Sequence, residues 1–289
     1  LVTGSEGQVG KSLRAALAES PFEYTLLSRN DLDITNAEQV FSSVSQHAPD
    51  IIVNAAAFTS VEEAETQQEL AYAVNKFGAG FLASAANTIN TPVIHLSTDY
   101  VFSGNSDRTY REGDHTAPVN VYGASKLEGE TEVIQRNAKH IILRTSWIFS
   151  EYGNNFFKTM RRLALTSNQV TVVNDQLGGP TYAGDVANAV LIIINHFQKT
   201  GQLDWGTYHY CGYPHTSWFG FAEEIFNRPI KEFPQLKVIP ISTVDRPTKA
   251  RRPHNSRLDC TKINTLFGIE PSNWQNAINN LVNTNNESD

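Results

Sequence analysis

The chain of 289 residues carries a net charge of −7, with 40% apolar and 18% charged residues, enough to bury one large core or two unequal ones. That balance excludes the broad basic surface that nucleic-acid binding needs, and no apolar run approaches the roughly 20 residues of a membrane helix. Two cysteines outside any Cys-x-x-Cys pair and eight scattered histidines argue against a disulfide framework or a metal site, and the N-terminus lacks a secretory leader, so a cytoplasmic protein is expected.

Leu1 to Thr3 reads as the end of an apolar strand, one expected to start before Leu1. Gly4, Gly7 and Gly10 follow at G-x-x-G-x-x-G spacing, then an amphipathic helix with Leu13, Ala16 and Leu17 on one side. Strand, glycine turn and helix make a dinucleotide fingerprint: the backbone must turn sharply, and helix N-terminal amides must approach a pyrophosphate. Tyr24 to Leu27 reads as a second strand. At its end an acid would grip a ribose 2′-hydroxyl; Ser28 and Arg29 stand there and suit a 2′-phosphate, which favours NADPH over NADH. Asp33 and Ile34 fall where a loop flanks the adenine, and Asn36 to His47 is expected to be helical.

Asp50 to Ala57 is an apolar run ending in small residues, the pattern of a strand buried on both faces. Ala57, Phe58 and Thr59 then fall in the crevice beyond the strand ends. Glu62 to Asn90 reads as two helices joined near Gln67, with Asn75 turned towards the sheet. Pro92 to Leu96 is the next strand, with Leu96 beside the cofactor, and it ends in Ser97-Thr98-Asp99-Tyr100-Val101-Phe102. The Thr98 hydroxyl there can bond a substrate oxygen.

Tyr122-Gly123-Ala124-Ser125-Lys126 opens a helix, and one turn places phenol and ammonium on the same face. A tyrosine ionises near ~10 in water, and a lysine cation beside it would lower that value and make a general acid. The pair alone matches many solvated helices by chance. His140 to Arg144 forms a further strand ending in Thr145-Ser146-Trp147, and the alternation of strands and helices predicts a Rossmann-type, doubly wound parallel α/β sheet.

Beyond Trp147 the pattern predicts a helix at 154–165, a strand at 170–173, a glycine-rich loop at 175–181, an apolar helix at 185–196 and a late strand at 207–210. Thr216 to Phe226 reads as an aromatic core rather than a ligand box, and the tail from Asn283 as frayed. Cations concentrate between Arg246 and Arg257; Arg251 and Arg252 suit a diphosphate, or belong to a solvated loop. The expected division is an NAD(P)-binding domain at 1–146, with 183–212 returning to it, and a smaller C-terminal α/β substrate-binding lobe at 147–182 and 213–289.

Taken together, Gly4-x-x-Gly7-x-x-Gly10, Asn54-Ala55-Ala56-Ala57, Ser97 to Phe102, Tyr122-x-x-x-Lys126, Arg144-Thr145-Ser146-Trp147 and Arg251-Arg252-Pro253-x-Asn255-Ser256-Arg257-Leu258 resemble the extended short-chain dehydrogenases, and among them the dTDP-4-dehydrorhamnose reductase family, over nearly the whole chain. The resemblance implies reduction of the 4-keto group of a dTDP-deoxysugar by NADPH or NADH. It implies that Tyr122 protonates the reacting oxygen and that Lys126 holds the nicotinamide ribose. Thr98 and Asp99 would meet the sugar, Trp147 would pack on it, and Gly7, Gln8 and Val9 would meet the cofactor phosphates. Tyr100 stands where related dehydratases carry a glutamate, which argues against dehydration. A magnesium-bearing dimer contact of some relatives has no placeable counterpart, so a homodimer is allowed and no metal is assigned. Two alternatives remain at this stage: a non-catalytic regulatory subunit like the beta subunit of methionine adenosyltransferase, and a reductase or epimerase of another nucleotide sugar.

Overall fold

The computed structural model describes residues 1–227 and 236–286, with side chains as far as Val282. Its strands are β1 (Val2–Thr3), β2 (Leu26–Leu27), β3 (Ile52–Asn54), β4 (Val93–Thr98), β5 (His140–Thr145), β6 (Ile148–Phe149), β7 (Gln169–Val173), β8 (Leu177–Gly178), β9 (Thr181–Tyr182), β10 (Gly206–His209), β11 (Thr216–Ser217) and β12 (Lys237–Ile241). The helices are α1 (Gln8–Ala18), α2 (Ala37–His47), α3 (Val61–Ala64), α4 (Gln68–Tyr72), α5 (Ala79–Thr88), α6 (Val121–Arg136), α7 (Phe156–Thr166), α8 (Ala183–Thr200), α9 (Trp218–Phe226), α10 (Thr261–Phe267) and α11 (Trp274–Asn286). The polar tail expected to fray from Asn283 has helical backbone to Asn286, and 287–289 lies outside the described residues.

Six strands form one parallel sheet in the order β10-β5-β4-β3-β1-β2. Neighbouring residues of a strand face opposite sides, and the core follows that alternation. Val53, Ile94 and Ile141 pack with Leu13 and Leu17 of α1 and Val186, Val190 and Ile193 of α8. Ile52 and Val93 instead pack with Val40 and Val44 of α2 and Leu82 and Ala86 of α5. With both faces covered, the strand middles are apolar, as in Ile52-Val53, Val93-Ile94 and Ile141-Ile142-Leu143, and the polar residues stand mainly towards the strand ends. The chain runs outward from β1 to β2 and then returns to the other side of β1 for β3. The strand ends of β1 and β3 therefore border the crevice where such sheets bind ligands.

The remaining residues gather a second core beside the sheet. β7 pairs parallel with β12, β6 parallel with β9, and β8 antiparallel with β11. Phe149, Phe157, Met160, Val172, Phe221, Ile225, Trp274 and Ile278 close around them. Cys211 and Cys260 are buried and unbonded, with sulfurs 3.7 Å apart. Among the described residues no helix is long and apolar enough to cross a membrane.

The stretch 62–90 departs from the expected two helices: α3 and α4 are short, and a π-helical turn at Ala73–Gly78 joins α4 to α5. Its cause is Asn75, whose side chain turns inward to bond both the N–H and the C=O of Phe58 (2.8 and 3.0 Å) and the Ser125 hydroxyl (2.9 Å). Gly129 on α6 admits this turn, since a Cβ there would lie 2.0 Å from the Asn75 carbonyl oxygen.

Candidate active site

The glycine turn is built for close approach. Gly4 has φ +71°, and a Cβ on it would meet the Ala56 amide nitrogen at 2.5 Å; one on Gly10 would meet the Gly4 carbonyl at 2.2 Å. Gly7 caps α1 in extended conformation, and no side chain satisfies the helix N-terminus. Exposed amides with the positive end of the helix dipole, and no Cβ in the way, suit a dinucleotide pyrophosphate. The Gln8 side chain is occupied elsewhere: its Oε1 accepts from the Ser150 hydroxyl (3.0 Å) and Asn155 Nδ2 (2.8 Å). Gln8 and Val9 therefore offer their backbone at this turn.

At the end of β2, Ser28 donates through its N–H and hydroxyl to Asp31 (2.9 and 2.6 Å), while Arg29 is exposed. Asp33 accepts from the Thr35 N–H and hydroxyl (3.0 and 2.7 Å). Ile34, expected in the loop that flanks the adenine, has its side chain buried among Leu32, Val40 and Leu82. Ala57 and Phe58 are half-buried and Thr59 exposed, just past β3.

Thr98 ends β4, and its hydroxyl donates to Asp99 (3.0 Å) while accepting from the Tyr100 N–H (3.2 Å). Asp99 is 2% exposed, and its second carboxylate oxygen has no partner. Burial raises its carboxyl to about 7, against the opposing effect of the Ser256 and Thr98 hydroxyls. Tyr122 lies one residue into α6, whose N-cap Asn120 accepts from the Gly123 N–H (2.8 Å). Burial pushes the Tyr122 phenol up to about 12, and the Thr98 hydroxyl beside it acts in the opposite sense. Tyr100 meets Tyr122 edge-on with ring centres 5.6 Å apart. Its own phenol is pushed above the ordinary range, chiefly by burial, so it remains protonated at neutral pH.

Lys126 is 2% exposed and donates to the Leu96 carbonyl at 2.7 Å, with His95 Nε2 at 3.3 Å. Burial lowers its ammonium to about 8, against the pull of Glu130. The expected lowering of Tyr122 by Lys126 is thus not realised in the free chain. Here the lysine is directed at β4, and desolvation governs both groups. His95, held neutral by burial and by Lys126, is a group that sequence reasoning missed. Asn54 Oδ1 accepts the Ala56 N–H (3.1 Å), so its Nδ2 is left to donate to His95 Nδ1 (3.0 Å). The imidazole thus lies between the Asn54 amide and the lysine nitrogen.

A cavity of about 650 Å³ is lined by Glu62, Phe156, Trp218, Arg246, Lys249 and Arg252, among others. Arg252, a candidate for the diphosphate, is one of its lining residues. Arg251 does not line it; the residue is exposed and its carbonyl accepts from Asn120 Nδ2 (2.8 Å). Trp147 is stacked on Trp218, ring centres 3.6 Å apart, and its ring also packs where any side chain at Gly178 would stand. The aromatic side chains that line the cavity are therefore Trp218, placed with the core by its sequence context, and Phe156. Glu62, also unforeseen, accepts from the Lys249 and Ala250 N–H groups (2.9 and 3.2 Å) and from Arg252 Nη2 (3.1 Å). Burial opposes ionisation of Glu62, yet Arg252 and these amides hold its carboxyl below the usual range.

A doubly wound parallel sheet, a glycine turn at its first strand and a Tyr-x-x-x-Lys helix beside a Thr-Asp strand end define an oxidoreductase of the short-chain dehydrogenase/reductase class. The family model described as RmlD substrate binding domain matches residues 1–287, and the chain belongs to that family. It is 46% identical over 286 residues to a dTDP-4-dehydrorhamnose reductase of Aggregatibacter actinomycetemcomitans, covering 97% of each chain. Among solved structures, a dTDP-4-dehydrorhamnose reductase of Clostridium acetobutylicum superposes with a TM-score of 0.91 at 35% identity, covering 98% of each chain. One of Bacillus anthracis in complex with NADP superposes with a TM-score of 0.87 at 38% identity, covering 96% of each.

Proposed function

We propose that this chain reduces the 4-keto group of dTDP-4-dehydro-L-rhamnose to give dTDP-L-rhamnose, the deoxysugar donor for surface polysaccharide, with NADPH as reductant and NADH as an alternative. The observation that carries the reading is the gathering of Thr98, Asp99 and Tyr122 at the end of β4 in a sheet whose first strand ends in the glycine turn. Family membership and the names of the full-length relatives support it. The turn Gly4 to Gly10 would hold the pyrophosphate through the Gln8 and Val9 amides. Ser28 and Arg29 would take the 2′-phosphate, Ala57 to Thr59 with Leu96 would border the nucleotide, and Lys126 would hold the ribose. When bound, the dinucleotide supplies the hydride.

The protein's own part is orientation and the proton. Tyr122, kept protonated by burial, donates its proton to the oxygen at the sugar's 4-position as negative charge develops there. Thr98 bonds that oxygen, and Asp99 lies against the sugar. Trp218 and Trp147 form the aromatic wall, and Arg252 answers the diphosphate as a planar guanidinium suits it. Tyr100 supplies no second carboxylate beside Asp99, which argues against elimination of water. In this reading 1–146 with 183–212 bind the dinucleotide, 147–182 and 213–289 bind the dTDP-sugar, and the reaction takes place in the cytoplasm.

A coupled assay that follows NADPH oxidation with dTDP-4-dehydro-L-rhamnose tests this. Turnover by the native chain is expected, with Tyr122→Phe lowering kcat by about 10³-fold while NADPH binding stays within a few-fold. No turnover of any deoxy-ketosugar nucleotide, together with co-purification of a synthetase, would return the chain to the regulatory-subunit reading.

A further inference from the structure

The short helix α3 and the residue after it carry three carboxylates, Glu62, Glu63 and Glu65, none of which the reaction uses, and two of them hold the site's neighbours. Glu62 and Glu65 are three residues apart, so they share a face of this turn. Their partners belong to opposite sides of the active site. Glu62 holds the loop 249–252 through two backbone amides and the Arg252 guanidinium. Glu65 accepts the Val121 N–H at 2.9 Å, the first amide of the helix that carries Tyr122. A third bond closes the circuit: Asn120, which caps that helix, donates to the Arg251 carbonyl at 2.8 Å.

Each bond has a plain physical reason. A helix leaves its first amides without partners, and a carboxylate there is favoured by the helix dipole. Asn120 answers the third amide and Glu65 the first, so the start of α6 is fixed at two points. The loop 249–252 has no ladder of its own, and one carboxylate orders it by accepting three donors. The Nε of Arg252 remains buried without a partner. Glu62 therefore fixes the guanidinium while leaving part of its fork unsatisfied beside the cavity.

We infer that α3 is a clasp in which Glu62 and Glu65 are positioning residues with separate duties: Glu62 sets Arg252 and its loop for the diphosphate of the nucleotide sugar, and Glu65 sets the start of α6 and with it Tyr122. This rests on the ketosugar-reductase reading of the site. The two duties separate kinetically. Loss of Glu62 weakens a contact made equally in ground and transition states, which raises KM; loss of Glu65 disturbs the proton donor, which lowers kcat.

The test compares Glu62→Gln and Glu65→Gln with the native chain in steady-state kinetics, in calorimetric binding of thymidine diphosphate, and in NADPH binding by fluorescence. Glu62→Gln is expected to raise KM for the nucleotide sugar and Kd for thymidine diphosphate by roughly ten-fold, the scale of a lost charge-assisted bond, with kcat within about three-fold. Glu65→Gln is expected to lower kcat by roughly ten-fold, with thymidine diphosphate binding within about two-fold. NADPH binding should stay near native in both. If either glutamine variant loses its cooperative thermal transition, the corresponding aspartate variant, which keeps the charge and shortens its reach, should show the same parameter shifted to a smaller extent. Unchanged kinetics in both variants, or the same change of KM and kcat in both, would overturn the inference. Absence of NADPH oxidation by the native chain would instead remove the reductase reading on which it rests.

Discussion

Asp99 shows how much a single residue's surroundings decide. Its carboxyl would ionise near 3.8 in the unfolded chain, and burial raises it to about 7. Between these values the unfolded chain has released a proton that the folded chain keeps, so the stability contributed by neutral Asp99 is full below about pH 4 and is lost as pH rises through about 7. Asp99→Asn should therefore remove a slope. Urea unfolding at intervals from about pH 4 to 8 should show the native-minus-variant difference drifting towards the variant by up to about 4 kcal/mol; a pH-independent difference would contradict the assignment. Arg29 gives a second test at this scale. Arg29→Ala should weaken NADPH roughly ten-fold more than NADH, measured as Kd by fluorescence, and equal weakening would refute a 2′-phosphate contact. Residues whose chemistry is tied to local spacing, such as Gly4, Gly10, Tyr122 and Lys126, were legible in the sequence. Glu62, His95 and Trp218 were not, because they act on partners far along the chain: Arg252 is 190 residues from Glu62, and Asn54 is 41 from His95.

The elements that place these groups are short and closely fitted. α1 starts on Gly7 without a side-chain cap, and Gly10 lets it lie against the turn, since any Cβ there would meet the Gly4 carbonyl at 2.2 Å and Ser5 backbone atoms at 2.7 Å. Gly10→Ala should accordingly cost about 1–3 kcal/mol and abolish NADPH binding, whereas Gly113→Ala, whose Cβ would meet nothing within 4 Å, should leave both unchanged. Chemical denaturation and cofactor titration of the two variants check this, and equal behaviour would contradict the close-packed turn. Regular elements were readable where hydrophobic period and length agreed, as in α2, β4, β5 and α8. The π-helical turn at Ala73–Gly78 was not, because Asn75 bends inward for partners on another loop and another helix, and no local pattern encodes that.

At the scale of the whole molecule, one parallel sheet and a second core meet along the crevice. Gln8 of the glycine turn bonds Ser150 and Asn155, Asn120 of the Tyr122 helix bonds the Arg251 backbone, and Glu62 bonds Arg252. The glycine turn and the Tyr122 helix are thus each tied to the part of the chain that supplies Trp147, Trp218 and Arg252. The parallel sheet was legible because strands buried on both faces read as apolar runs. The joints were not, because each is a polar contact made only after the chain has folded. The central claim is that this chain directs hydride to the 4-keto carbon of the nucleotide sugar and protonates its oxygen. Its most direct test supplies NADPH deuterated on the transferable face of nicotinamide C4 with dTDP-4-dehydro-L-rhamnose, and reads the product by mass spectrometry and proton NMR. The account predicts dTDP-L-rhamnose heavier by one mass unit with deuterium at sugar C4, formed by the native chain and not by Tyr122→Phe; cofactor bound by the native chain but no deuterium reaching the sugar would contradict it.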